Sequence, residues 1–307
     1  MQKSYLMTLY DIAEKDPNVL LLLADSGSGY DELFKKSFPE RVLDFGIAEE
    51  NMVAAAAGLA SCGKIPFVYT AGAFLAYRSV EFIRDDVCFQ NRNVKLIGMG
   101  TGLAWSTLGA THHTTEDLGI LRAIPNLLVL CPSCPSMVEK CIRTAYKHQG
   151  PVYVRIGMGG EKELYSEPYE IDSEKSMVLS DGSDITVFSC GAITAEVLEA
   201  ADILSAKGIS VKIIDMFSVS PIDAERIVSE AKSGRPLFTV EEHSITGGIG
   251  SAVAEVLAEN RIPADFHRIG LDNSFACGYG THHEVRMQNG LDSESIATKI
   301  YNCIGEK

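Results

Sequence analysis

Residues 44–63, DFGIAEENMVAAAAGLASCG, constrain this chain more than any other stretch. Asp44-Phe45-Gly46 reads as the end of a short strand and a turn. From Ala48 a run of Ala, Met, Val and Leu begins, and Ala is the best helix former because it loses no side-chain entropy. Gly58 lies within the helix and Gly63 closes it as a C-cap. The alanines let a second helix come close, which places this helix at an interface. Glu49 and Glu50 stand in its first turn, where the helix dipole favours acids in any protein. One of the pair points outward. The other enters apolar surroundings, where a carboxyl can hold or share a proton.

Strands and helices alternate around this stretch. A first amphipathic helix covers 4–15. Val19–Ala24 is an apolar strand of the buried, parallel type. Asp25 to Tyr30 form a glycine-rich loop at its carboxyl end, with neither a phosphate-loop lysine nor a GxGxxG. A short helix spans 31–37. Strands follow at Ile65–Thr70, Val94–Met99, Leu127–Leu130 and Val152–Ile156, with a helix at Ser136–Lys147. A further helix begins at Phe74, and Phe74 and Tyr77 share one face of it. Core packing and a platform for a flat heteroaromatic ring are both open readings of that pair.

A long loop without periodicity follows Met99. It carries the only tryptophan, Trp105, and the adjacent His112 and His113. Long irregular loops in folded domains are usually functional. No third ligand stands near the two histidines, so substrate contact or proton transfer suits them better than a metal.

Residues 157–180 are charged, with Gly and Pro, and read as a linker. A second alternation follows, with strands at Ile185–Cys190, Val211–Met216, Leu237–Glu241 and Phe266–Gly270. Helices fall at Thr194–Lys207, Asp223–Ala231, up to Glu259, and from Ser293. Gly247, Gly248 and Gly250 allow a sharp turn, and the following helix N-terminus offers an anion site. The expected fold is α/β: two open, mainly parallel sheets, each flanked by helices. The domains run 1–160 and 181–307, with the linker at 161–180.

The net charge of −14 and pI near 5.0 argue against nucleic acid or an anionic membrane as partner. No apolar run reaches the roughly 18 residues of a membrane span. The N-terminus carries acids early and has no small-residue cleavage site. Eight cysteines spread along the chain read as free thiols of a cytoplasmic protein. Cys131-Pro-Ser-Cys134 lacks the second pair of a zinc ribbon and reads as a strand-end turn.

Three pieces together are distinctive: GIAEENMVAAAAGLA; GATHH followed by EDLGILRAIPN; and VEEHSITGGIGSAVAEVL. On them, residues 40–160 resemble the pyrimidine-binding domain of the transketolase family of thiamine diphosphate enzymes. Residues 180–305 resemble that family's C-terminal domain. The resemblance implies that Glu49 activates the cofactor by hydrogen-bonding its aminopyrimidine ring. It implies that Phe74 and Tyr77 pack on that ring, with Val80 where a third aromatic often stands. His112 matches the histidine that contacts the substrate, with His113, Trp105, Ser28 and Arg155 as further substrate residues. The family's GDG motif, which holds the diphosphate and a divalent metal, does not occur in these 307 residues. The resemblance therefore implies the second half of a split transketolase. An N-terminal partner chain would supply the diphosphate site and Mg2+ or Ca2+, in a heterotetramer, and no metal site is expected in this chain.

The substrate side departs from the family pattern. Gln2 lies where sugar-phosphate transketolases carry an arginine, Gly100 replaces a histidine, Leu108 an aspartate and Met158 an arginine. A sulfonated or otherwise modified ketose is therefore an option beside a ketose phosphate. A deoxyxylulose-phosphate-synthase-like enzyme and a 2-oxo acid dehydrogenase beta subunit use similar domains. Tyr77 favours transketolase over the synthase, which typically has a basic residue near there. A non-catalytic scaffold would have no need of Glu49, Phe74, Tyr77 and His112 together.

Overall fold

A computed structural model describes all residues except 27, 28, 30, 167, 306 and 307. Twelve strands follow one another among the described residues: β1 (Val19–Leu23), β2 (Val42–Asp44), β3 (Ile65–Ala71), β4 (Lys95–Met99), β5 (Leu128–Leu130), β6 (Val152–Arg155), β7 (Met177–Ser180), β8 (Ile185–Ser189), β9 (Val211–Asp215), β10 (Ser218–Ser220), β11 (Leu237–Ser244) and β12 (Phe266–Leu271). They make two sheets, ordered β10-β5-β6-β4-β3-β1-β2 and β12-β11-β8-β9-β7. All pairings are parallel except those of the edge strands β10 and β7. Helices cover both faces, so a strand such as β1, VLLLL, is buried at every position.

In β1 and β3, Leu23 pairs with Tyr69, and β3 runs beside β4 to Ala71 and Met99. The carboxyl ends of these three strands therefore open at one edge, the usual place for a ligand in an open parallel sheet. The helix Glu49–Ser61 packs its Met52, Val53, Ala56 and Ala57 onto this sheet. Its end is a Schellman turn: Lys64 N–H reaches Leu59 O and Gly63 N–H reaches Ala60 O, with Gly63 at φ +80°.

Four details differ from the sequence reading. The helix that begins at Phe74 is not regular. Residues Phe74–Arg78 and Ile83–Phe89 are π-helical, and only Val80–Phe82 form an α turn between them. Each wide turn rotates the side chains that follow, a feature common at functional sites. The stretch 161–180 is not a free tether. Tyr165 and Tyr169 pack against the first domain, the Tyr165 hydroxyl donates to Asp215 at 2.8 Å, and β7 joins the second sheet. In return β10, from the second half, completes the first sheet. The helix N-terminus after Gly248 is already filled: the Glu241 carboxylate accepts from Ile249 N at 2.8 Å and Gly250 N at 2.9 Å. That carboxylate is buried, which pushes its pKa up to about 7 against those two hydrogen bonds, and it leaves no room for an external anion. A helix His282–Gln288, begun by a Thr281–Glu284 capping box, precedes the final helix Ser293–Gly305.

Candidate active site

A cavity of about 270 Å³ opens at the carboxyl ends of β1, β3 and β4. Glu49, Phe74, Trp105 and His112 all line it, together with Asp25, Ser26, Ile47, Thr70, Met99 and Leu108. Four of the expected site residues thus come together from a helix start, a π turn and the long loop. Glu49 is the first residue of its helix and is only 2% exposed, while Glu50 is partly exposed. Its surroundings are not purely apolar: Arg78 Nη1 donates to its Oε2 at 2.6 Å. The Phe74 ring meets the His112 imidazole edge-on, centroids 5.0 Å apart, and Trp105 lies 6.1 Å beyond His112. Thr111 Oγ1 holds His112 Nδ1 at 2.9 Å, leaving the other ring nitrogen for the cavity.

Tyr77, Val80 and His113 line a neighbouring cavity of about 340 Å³, with Glu116, Ile120 and Phe275. The Tyr77 hydroxyl donates to Glu116 Oε2 at 2.7 Å and accepts from the Thr115 and Glu116 amides, both at 3.0 Å. It therefore braces the loop beside His112 and His113. His113 is buried with neither ring nitrogen hydrogen-bonded, and burial pushes its imidazole below its ordinary pKa. The wide π turn explains why Phe74 and Tyr77 face different cavities. It also brings Arg78, the residue after Tyr77, to Glu49. A basic group is thus present here after all, so Tyr77 alone does not separate transketolase from the synthase.

Arg155 lies outside both cavities. It is 5% exposed, its Nε donates to Asp117 at 2.9 and 3.2 Å, and its Nη2 donates to the carbonyls of Thr114 and Glu242. It joins the long loop to the second half of the chain. Glu242 works from the other side: its carboxylate accepts from the Leu103 amide at 2.6 Å and from His282 and Arg286. Despite burial, Arg286 and His282 hold that carboxyl well below the usual range. Ser28 lies outside the described residues.

The far end of the first cavity is packed, not cationic. Gln2 Nε2 donates to Met99 Sδ at 3.1 Å and lies 3.7 Å from Met158 Sδ. Gly100 has φ +64°, and a Cβ on it would overlap Trp105 Nε1 and stand 2.8 Å from Met158 Sδ. A histidine at position 100 and a tryptophan placed like Trp105 exclude each other. No lysine or arginine lines this cavity; its charged groups are Asp25 and Glu49. Arg78, Asp25, Ile47 and Thr70 were not singled out from the sequence. Only the Asp25 position, at a strand's carboxyl end, carried a signal.

Comparison with known proteins adds to this geometry. Residues 1–159 match the transketolase pyrimidine-binding domain, and residues 174–296 match the transketolase C-terminal domain. A putative transketolase C-terminal section from Methanocaldococcus jannaschii is 40% identical over 98% of this chain and 95% of its own length. One of the two subunits of an apulose-4-phosphate transketolase, from Actinobacillus succinogenes, is 37% identical over 86% and 85%. A 6-deoxy-6-sulfo-D-fructose transketolase subunit from a Clostridium species is 33% identical over 100% and 95%. A solved structure described as a split gene transketolase, inactive beta4 tetramer, superposes with TM-score 0.90 at 35% identity, covering 99% of this chain and 98% of that one.

Proposed function

The chain belongs to the transketolase family, and from that premise we propose that it is the C-terminal half of a split, thiamine diphosphate-dependent transketolase. It moves a two-carbon ketol unit from a ketose donor to an aldose acceptor, and it acts only with a partner chain. The observation that carries this reading is the buried Glu49 carboxyl in one cavity with Phe74 and His112.

These residues fit the pyrimidine half of the cofactor: a sequestered carboxyl to meet a ring nitrogen and an aromatic side chain beside it. Among the described residues no group of three or more side chains is placed to hold a metal. The diphosphate and its magnesium are therefore assigned to the partner. Bound thiamine diphosphate supplies a carbon nucleophile and an electron sink for breaking a carbon–carbon bond. Glu49 holds a hydrogen bond to its ring and shares a proton there. Phe74 fixes the ring's position. His112 turns its free ring nitrogen into the cavity, where it binds a substrate oxygen or moves a proton to it. Trp105 and Met99 keep water from that end.

The partner also explains the surface of the helix Glu49–Ser61. Asn51 and Gly58 are exposed, Ala54 and Ala55 half-buried, and a Cβ on Gly58 would meet nothing within 4 Å. This small-residue face suits a contact between chains, and no helix in the described residues is long and apolar enough to cross a membrane. Ala54→Leu or Ala55→Leu is expected to weaken assembly through overpacking, at a cost of about 1–3 kcal/mol. Sedimentation of each variant with the partner checks this; normal assembly by both places the contact elsewhere. A heterotetramer in the cytoplasm is the assembly proposed.

The substrate end is read from charge. An anionic tail needs charge-assisted hydrogen bonds, each worth about 1.5–3 kcal/mol. Gln2, Gly100, Leu108 and Met158 supply no cation. Relatives are named for a phosphorylated and for a sulfonated sugar. We expect xylulose 5-phosphate to be a poor donor for the reconstituted pair beside a sulfonated or unphosphorylated ketose. Specificity constants for the three decide it, and a clear preference for xylulose 5-phosphate rejects this part of the reading.

A further inference from the structure

Arg78 lies across the candidate active site, and the family resemblance gives it no task. It stands at the end of the π turn Phe74–Arg78. Its Nη1 donates to Glu49 Oε2 at 2.6 Å, and its guanidinium carbon lies 5.2 Å from the centre of the Phe74 ring. Glu49 is almost fully buried, whereas the Arg78 side chain is 39% exposed. The guanidinium thus covers, from the solvent side, the two surfaces that an aminopyrimidine ring would use: the carboxyl and the neighbouring aromatic ring. The other charged or titratable groups of this cavity are Asp25, from the loop after β1, and His112, from the long loop. Ser26 and Thr70 add hydroxyls, which bond to each other at 2.9 Å. Among the described residues Arg78 is the only side chain hydrogen-bonded to Glu49.

We propose that Arg78 is a positioning residue for Glu49, holding its carboxyl in the unloaded chain and releasing it when an aminopyrimidine ring enters. The inference rests on the reading that thiamine diphosphate is the cofactor. A guanidinium on a carboxylate is a strong, charge-assisted partner. A neutral ring nitrogen must compete with it for the same group. The guanidinium also gains from the aromatic ring it faces, and it must give up that contact as the new ring enters. Being partly exposed, Arg78 can swing outward into water without opening a cavity. The side chain therefore keeps a buried carboxyl paired until the cofactor arrives.

The test is a calorimetric titration of thiamine diphosphate, with magnesium, into the reconstituted pair. Native protein, Arg78→Met, Arg78→Gln, Arg78→Lys, Glu49→Gln and Glu49→Gln/Arg78→Met are compared. Arg78→Met and Arg78→Gln are expected to bind about tenfold tighter than native, the size of one lost competing charged hydrogen bond, with Arg78→Lys in between. In the Glu49→Gln background, Arg78→Met is expected to change affinity by less than about twofold, because the two residues act through each other. A purely structural role for Arg78 would not give that coupling. Unchanged or weaker binding by both Arg78→Met and Arg78→Gln overturns the proposal, as does an equal gain without Glu49. No binding by the native pair overturns the cofactor reading and this proposal with it. Tight native binding with unimproved variants overturns this proposal alone.

Discussion

Glu49→Gln in the reconstituted pair is expected to lower turnover by about 10²–10⁴-fold, the usual contribution of a positioned acid–base group. Glu50→Gln is expected to leave it largely intact. The two carboxylates are adjacent in sequence and differ in placement. Glu49 opens the helix, is sealed from water and faces the cavity with Phe74 and His112. Glu50 is partly exposed and does not line it. Glutamine keeps the shape and one acceptor oxygen but cannot share a proton with a ring nitrogen. The measurement is kcat of both variants under saturating cofactor. If Glu50→Gln is the damaging change, the assignment of the activator is wrong.

Asp117→Ala is expected to destabilise the chain by about 3–5 kcal/mol, the loss typical when one partner of a buried ion pair is removed. Arg155 is held at 2.9 Å by Asp117, and both are almost completely buried. Without Asp117 the guanidinium keeps only the carbonyls of Thr114 and Glu242. The Tyr153 hydroxyl, which donates to Asp117 at 2.8 Å, is stranded as well. Arg155→Met combined with Asp117→Leu is expected to recover part of the loss, because no unpaired charge then stays in the core. Denaturant unfolding of the native chain and the two variants checks this. A change under about 1 kcal/mol for Asp117→Ala, well below the usual cost of a broken buried pair, would show that water reaches Arg155 and would restore that residue as a substrate contact.

The sheets were legible because their strands are apolar runs, and a run such as VLLLL at 19–23 admits few other readings. Glu49 was legible because an acid beside a long alanine-rich helix stands out. His112 and Trp105 were legible because they sit in a loop too long to be idle. Arg78 was not, since its contact with Glu49 depends on a π turn, and periodicity assumes the regular helical rise. The same turn sent Tyr77 to the neighbouring cavity. Strand β10 was missed because three residues, Ser218–Ser220, carry no period of their own and gain their place from β5. Arg155 looked like a substrate residue from its position at a strand's end. Which side of that strand end holds Asp117 is decided by the packing of the two halves of the chain.

The central claim is that this chain supplies half of each active site. It is tested by assaying ketol transfer with thiamine diphosphate and magnesium for this chain alone, for a diphosphate-binding transketolase chain alone, and for the two mixed. A panel of phosphorylated, sulfonated and unphosphorylated ketoses serves as donors. The account predicts turnover only in the mixture, rising to a plateau as this chain is added to the partner. Turnover by this chain alone, or a partner whose activity does not change when this chain is added, would contradict it.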